Sequence, residues 1–318
     1  MNNTLHMIPA ADQNPDEPGL EEGWLPIREV ARQTGVNAVT LRAWERRYGL
    51  IVPHRTPKGH RLYSAEHVQR VMDILTWLNR GVSVSQVKNL IDSRQPETSA
   101  SATATATGND WDALRQNLTK SIGELAERRV DDVFNQAMSL YPPRTLCEQL
   151  LMPLLGDLEN RWQSQFGGQM ERVFFYSWLR SKLGARIYHN NRQLSGAPVL
   201  LINHSDMPLE PHLWLSAWLI SSVDCPVEVF DWPLPNGELA LAAELLKPRA
   251  VVLYSSKALN PTQLPRLLAN IQCPVVLAGA SVRIHCDDLT TTINKIEGLH
   301  LAEDPLGALA ALQLLDLF

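Results

Sequence analysis

The stretch TLRAWERRYGLIVPHRTPKGHRLY, residues 40–63, decides how the rest of the chain is read. It spells a helix, a turn and a basic two-stranded loop. Asn37 stands ahead of the helix, where its side-chain oxygen can accept from the unpaired N–H groups of the first turn. Leu41, Trp44 and Tyr48 recur at i, i+3 and i+7 and form one apolar stripe. That stripe turns Thr40, Arg42, Arg46 and Arg47 toward the open side. Gly49 ends the helix, since glycine adopts the left-handed conformation at little cost. Pro53, Lys58 and Gly59 supply turn chemistry, and the loop carries Arg55, Lys58, His60 and Arg61. A narrow helix bearing arginines, followed by a basic hairpin, suits insertion into a major groove with the flanking phosphates held.

Outward from this stretch the pattern stays helical. IREVARQTG, residues 27–35, is a short amphipathic helix that would precede the recognition helix beginning at Ala38. Ser64 is placed to cap a helix whose stripe is Val68, Val71, Ile74, Leu75 and Leu78, and Gly81 stops it. Ser83 starts a last short helix with Val84, Val87, Leu90 and Ile91 facing inward. Charge supports the reading. The whole chain carries a net −5, but residues 24–95 hold twelve Lys and Arg against five Asp and Glu, a local +7 that leaves −12 elsewhere. A cationic head on an acidic body is the footprint of a nucleic-acid-binding module joined to a sensor.

These residues carry a resemblance. The stretch resembles the winged helix-turn-helix of the MerR family of transcription regulators. RAWERRYGL, with GHRLY in the wing, is similar to the CarH/LitR/MlrA subgroup, over roughly residues 25–92. The resemblance implies contacts to double-stranded DNA from Thr40, Arg42, Trp44, Arg46, Arg47, Tyr48, Arg55, Lys58, His60, Arg61 and Tyr63. Arg42 and Arg46 are expected at bases or phosphates, and Arg55, Lys58 and Arg61 at phosphates. Trp44, Arg47 and Tyr48 have a second reading, as braces between helix, core and wing.

At 318 residues the chain is long enough for two or three domains, and 45% hydrophobic with 20% charged residues fits a globular protein. No apolar run approaches the ~20 residues that span a bilayer. The polar, acidic first 23 residues lack a signal-peptide pattern and read as a disordered arm. Cys147, Cys225, Cys273 and Cys286 are scattered without a C-x-x-C pair, which argues for free thiols and a cytoplasmic protein. QPETSASATATATG has nothing to bury, so residues 95–109 read as a flexible linker that lets the head move.

Residues 110–195 are expected to form a four-helix bundle, broken at Pro142–Pro143. From residue 196 the period changes. PVLLINH, VEVFDW, AVVLYSS, PVVLAG and GLHLAED alternate with helical sequence, which predicts a flavodoxin-like, doubly wound parallel sheet. The fold class is thus multidomain α plus α/β. Ligands on such sheets sit beyond the strand ends, after Asn203, Trp232, Ser255 and Gly279. The Trp214–Trp218 pair, at i and i+4, reads as a buried face, with a partner surface as the alternative.

Bundle followed by sheet resembles the cobalamin-binding module of the same subgroup and of methionine synthase. By that resemblance Glu210 and His212 stand at a Glu-x-His, with His212 as the cobalt ligand if the vitamin binds. Ser255, Ser256 and Gly279 stand in the second and third loops, and Trp162 and Glu171 on the upper face. Departures accompany each: Leu215 where a glycine belongs, Lys257 after the serines, Ala280 for a second glycine and Arg172 for a histidine. They imply a module without a cofactor, controlled by a docking protein such as a flavin photoreceptor or other anti-repressor. A sequence-specific repressor, homo-oligomeric on an inverted repeat, is the expected function. A cobalamin-dependent light-responsive regulator is the alternative. A corrinoid methyl-transfer subunit is the enzymatic one, which Asp206, Asp231 and His285 do not support with any motif.

Overall fold

The computed structural model describes residues 23–92, 108–257, 263–284, 296 and 298–317. Most of the expected arm and linker, and also His285 and Cys286, lie outside the described residues. In the head, β1 (Leu25–Pro26) leads into α1 (Ile27–Thr34), which stops at Gly35 with φ of 70°. Asn37 caps α2 (Ala38–Ala43), its side chain accepting from the Thr40 N–H at 2.9 Å. The helix continues as a π-helical turn over Trp44–Tyr48 and closes on Gly49 with φ of 57°. Then β2 (His54–Arg55) and β3 (Arg61–Tyr63) form the wing hairpin. The sheet has the order β1-β3-β2, so the hairpin expected from sequence gains a third strand. Helices α3 (Ala65–Asn79) and α4 (Val84–Asp92) close the core with Val71, Ile74, Leu78, Val84 and Val87 buried. Ser64 caps α3 in a capping box with His67.

The bundle consists of α5 (Gly108–Gly123), α6 (Glu127–Leu140), a kinked third rod and α9 (Gly168–Asn191). The rod runs from α7 (Pro143–Leu146) through a π-helical turn at Cys147–Leu151 into α8 (Met152–Ser164). Pro142 is extended and Pro143 opens the new helix, as the missing N–H allows. Beyond it lie β4 (Val199–Asn203), α10 (Pro211–Ser221), β5 (Val227–Phe230), α11 (Leu239–Leu246) and β6 (Ala250–Tyr254). The chain continues through α12 (Leu264–Leu268), β7 (Val275–Ala278), α13 (Ala280–Ile284), β8 (Leu299–Ala302) and α14 (Pro305–Leu314). All pairings are parallel, in the order β5-β4-β6-β7-β8, the doubly wound arrangement expected. Strand alternation splits the apolar residues between two cores. Val199 and Leu201 face the bundle side, while Leu200 and Ile202 face α11 and α12.

The bundle-side core does not stop at the sheet. It runs through the bundle into the head, from Leu312 to Val30, as one contiguous cluster. Polar contacts seam the head to the bundle. The Trp44 indole N–H donates to the Leu140 carbonyl at 2.8 Å, and the Trp111 indole donates to the Gly81 carbonyl at 2.8 Å. The Val84 N–H donates to the Tyr141 hydroxyl at 3.4 Å, and Trp111 and Tyr141 pack ring to ring at 4.4 Å. A head expected to swing on its linker is therefore seated on the bundle in this structure. The cause is that each partner ends a helix or turn with a backbone group that needs a mate. Burial makes the Tyr141 hydroxyl a weaker acid, its pKa pushed up to about 12 chiefly by desolvation. Trp44→Phe keeps the ring in the core but orphans the Leu140 carbonyl, and should cost about 1–3 kcal/mol in urea unfolding.

Candidate nucleic-acid interface and sensor site

On the head, Arg42, Arg46 and Arg47 are exposed, as their helical positions predict, and Arg55, Lys58 and His60 are exposed on the hairpin. The hairpin turn is set by the Thr56 N–H donating to the His60 carbonyl at 2.9 Å, with Gly59 at φ of 84°. Tyr48 is half-buried against the core.

Four expected DNA contacts need correction. Thr40 is fully buried, its N–H held by the Asn37 cap, and its hydroxyl has no hydrogen-bond partner among the described residues. Trp44 is fully buried and gives its N–H to the Leu140 carbonyl, the bracing role that was its second reading. Tyr63 ends β3 on the inner face, 1% exposed. Arg61 lies against the recognition helix, its guanidinium Nε held by Glu45 at 2.6 Å and its side chain only 13% exposed.

Glu45 was not singled out by the sequence. Its carboxylate accepts from Arg55 Nη2 at 2.7 Å and from Arg61 Nε at 2.6 Å. Burial works against its ionisation, but the hydrogen bonds from Arg61 and Arg55 outweigh this and hold its pKa below the usual carboxylate value. Arg61 and Arg55 are direct cross-strand partners in the hairpin. The one available signal was register: two arginines facing each other across a hairpin repel, and a helix carboxylate nearby relieves that.

At the strand ends, the sequence-predicted residues of the C-terminal module do come together. Glu210 caps α10, and its Oε1 lies 3.1 Å from His212 Nδ1. Burial would raise the Glu210 pKa, but bonding to His212 outweighs it and keeps the carboxyl below its ordinary value. The Ser205 hydroxyl reaches Glu210 Oε2 at 3.4 Å and accepts from the Ser256 N–H at 3.0 Å. Ser255 is fully buried, its hydroxyl donating to the His204 carbonyl at 3.4 Å. His204 was missed by the sequence reading. It is buried, and burial together with the Lys257 ammonium lowers its pKa.

An imidazole backed by a carboxylate is what an axial cobalt ligand requires. Beside this pair the ends of β6 and β7 are crowded by buried groups. The Tyr254 ring is 2% exposed and lies parallel to the His212 imidazole, centroids 6.1 Å apart and planes 2° apart. A Cβ on Gly279 would come within 2.5 Å of the Ser255 carbonyl oxygen and 2.7 Å of the Tyr254 ring. Gly279 is thus required by Tyr254 and Ser255 themselves. Leu215 is fully buried in the core.

Above His212, α9 is tied to the same loops. Arg172 Nη2 reaches Met207 Sδ at 3.4 Å, Arg180 Nε donates to Asp231 at 2.5 Å, and Arg180 also covers the Trp214 ring. Trp218 is core, as expected, whereas Trp214 is half-buried between α9 and α10. Trp162 and Glu171 meet, but on each other. Glu171 accepts from the Trp162 indole at 3.0 Å and from Gln165 at 3.2 Å, and it pairs with Arg161. The tight turn before α9 makes this possible, since a Cβ on Gly168 would lie 2.6 Å from the Trp162 carbonyl oxygen. Glu171 therefore has three donors from the bundle itself.

Comparison with known proteins agrees with both halves of this description. Residues 25–94 match the MerR HTH family regulatory protein, and residues 114–187 match the B12 binding domain. The chain thus joins a head similar to the MerR HTH family to a module whose bundle is similar to the B12 binding domain. Among its relatives is the HTH-type transcriptional regulator MlrA of Escherichia coli (strain K12), 26% identical over 241 residues, or 76% of this chain and 92% of that protein. The HTH-type transcriptional repressor CarH of Myxococcus xanthus is 24% identical over 275 residues, covering 81% and 90%. The repressor CarA of the same organism is 26% identical over 276 residues, covering 82% and 88%.

Gly279→Ala should destabilise the sheet domain by at least about 2 kcal/mol, because φ of 107° and the Ser255 contact act together. A lowered midpoint in thermal unfolding, with the head's core residues unaltered, is the expected result.

Proposed function

We propose that this protein is a sequence-specific DNA-binding transcription regulator, acting as a repressor from the cytoplasm and binding an inverted repeat as a homo-oligomer. The observation that carries the reading is the exposed row Arg42, Arg46 and Arg47 on the recognition helix, beside a hairpin with exposed Arg55 and Lys58. A helix N-terminal half enters the groove while a basic wing holds the backbone. The relatives, all of them regulators by name over most of the chain, support it.

The C-terminal module is read as a receiver for a protein partner and not as a holder of the vitamin. Support comes from Tyr254 and Leu215 being buried in the core, and from Arg172 and Arg180 tying α9 to the loops. His212 and Glu210 are then a helix-capping pair, in which the imidazole packs on Tyr254. The cobalamin-dependent reading rests on that same pair and on the match of residues 114–187.

Two measurements test these readings. Arg42→Ala should relax base preference by about 1–3 kcal/mol, whereas Lys58→Ala should weaken every sequence alike and lower the salt slope by about one. Unchanged binding of Lys58→Ala at all salt concentrations would remove the wing from the interface. Purified protein mixed with adenosylcobalamin in the dark and desalted should emerge colourless. Colour that is retained, and lost in His212→Ala, would replace the partner reading with the vitamin-based one.

A further inference from the structure

We propose that Glu45 is the positioning residue of the DNA-binding surface, dividing the two wing arginines into an internal strut, Arg61, and a DNA-facing hand, Arg55. The inference rests on the regulator reading given above. Glu45 sits in the π-helical turn, between Trp44, which is anchored on the bundle, and Arg46, which is exposed. One carboxylate thus ties the recognition helix to both strands of the hairpin, through Arg55 on β2 and Arg61 on β3. The two arginine side chains differ sharply in exposure, 51% for Arg55 against 13% for Arg61.

Geometry explains the division. Arg55 and Arg61 are register partners, so without a carboxylate between them their charges would repel and splay the hairpin from the helix. With Glu45 in place, the wing is held at one angle to the helix. Arg61 Nη2 is itself buried without a hydrogen-bond partner among the described residues, which shows how far that guanidinium has been drawn inward. Arg55 gives Nη2 to Glu45 and keeps the rest of a half-exposed guanidinium toward solvent. Of the two arginines, a phosphate approaching the wing therefore meets Arg55 and not Arg61. The tie contributes specificity by fixing where the wing's charge lies relative to Arg42 and Arg46, and it lowers non-specific affinity by neutralising part of that charge.

The test uses the full chain and two duplexes: the one most enriched by the unaltered protein from a random library, and a scrambled duplex of the same composition. Glu45→Gln should reduce the preference for the selected duplex about tenfold, raise affinity for the scrambled one and steepen the salt slope by about one. Because loss of the carboxylate leaves Arg61 buried alone, a second variant is needed. Glu45→Met with Arg61→Met replaces the buried pair by apolar chains of similar volume, which preserves folding while removing the strut. It should show the same loss of preference, with circular dichroism and thermal unfolding like those of the unaltered protein. A preference and salt slope unchanged in both variants would overturn the proposal. Failure of the unaltered protein to enrich or bind any duplex would overturn the regulator reading, and this inference with it.

Discussion

An indole proton given to the carbonyl that ends a helix joins the head of this protein to its bundle. Trp44 belongs to the recognition helix, and Leu140 ends the second bundle helix. Neither group could be buried alone, since an unpaired carbonyl in an apolar setting costs more than the bond itself returns. Around this bond the core is continuous from the head's Val30 to the last helix's Leu312. The head's orientation is thus set by packing and a few obligatory hydrogen bonds, and the exposed arginines inherit their direction from that seat.

Much of this was legible in the residues. Asn37, Gly49, Ser64 and Gly81 act as the caps and stops their chemistry suggests, because capping is local and depends on a few neighbouring atoms. The strands and their alternation were equally readable, since a period of two assigns each side chain to a face. What escaped was everything decided across the chain. Thr40 and Tyr63 lie in stretches whose polarity suggests exposure, yet both are buried. Arg61 looked like its neighbour Arg55, and only the hairpin register with Glu45 separates them. The seat of the head on the bundle had no sequence signal, because a polar, small-residue stretch says nothing about whether the domains it joins will pack.

The C-terminal module shows the same division. Glu210 and His212 stand where a short motif puts them, two residues apart at a helix start. Whether they serve a ligand depends on Tyr254, more than forty residues later, whose ring stacks on the imidazole and presses on Gly279. A glycine in a third loop therefore has two explanations, room for a ligand or room for a tyrosine. In this structure the tyrosine occupies it.

The hydrogen bonds that fasten the head to the bundle have a consequence for how such proteins can be recombined. Trp44, Gly81 and Val84 on the head each meet a mate on the bundle, at Leu140, Trp111 and Tyr141. A head transplanted from another regulator, cut at the obvious low-complexity boundary, would arrive with none of these mates. Its exposed arginines would be intact, but the packed core that joins the head to the distant sheet would be lost. Portability in this architecture belongs to the head and bundle together, and the boundary written in the composition is not the boundary at which the molecule can be divided.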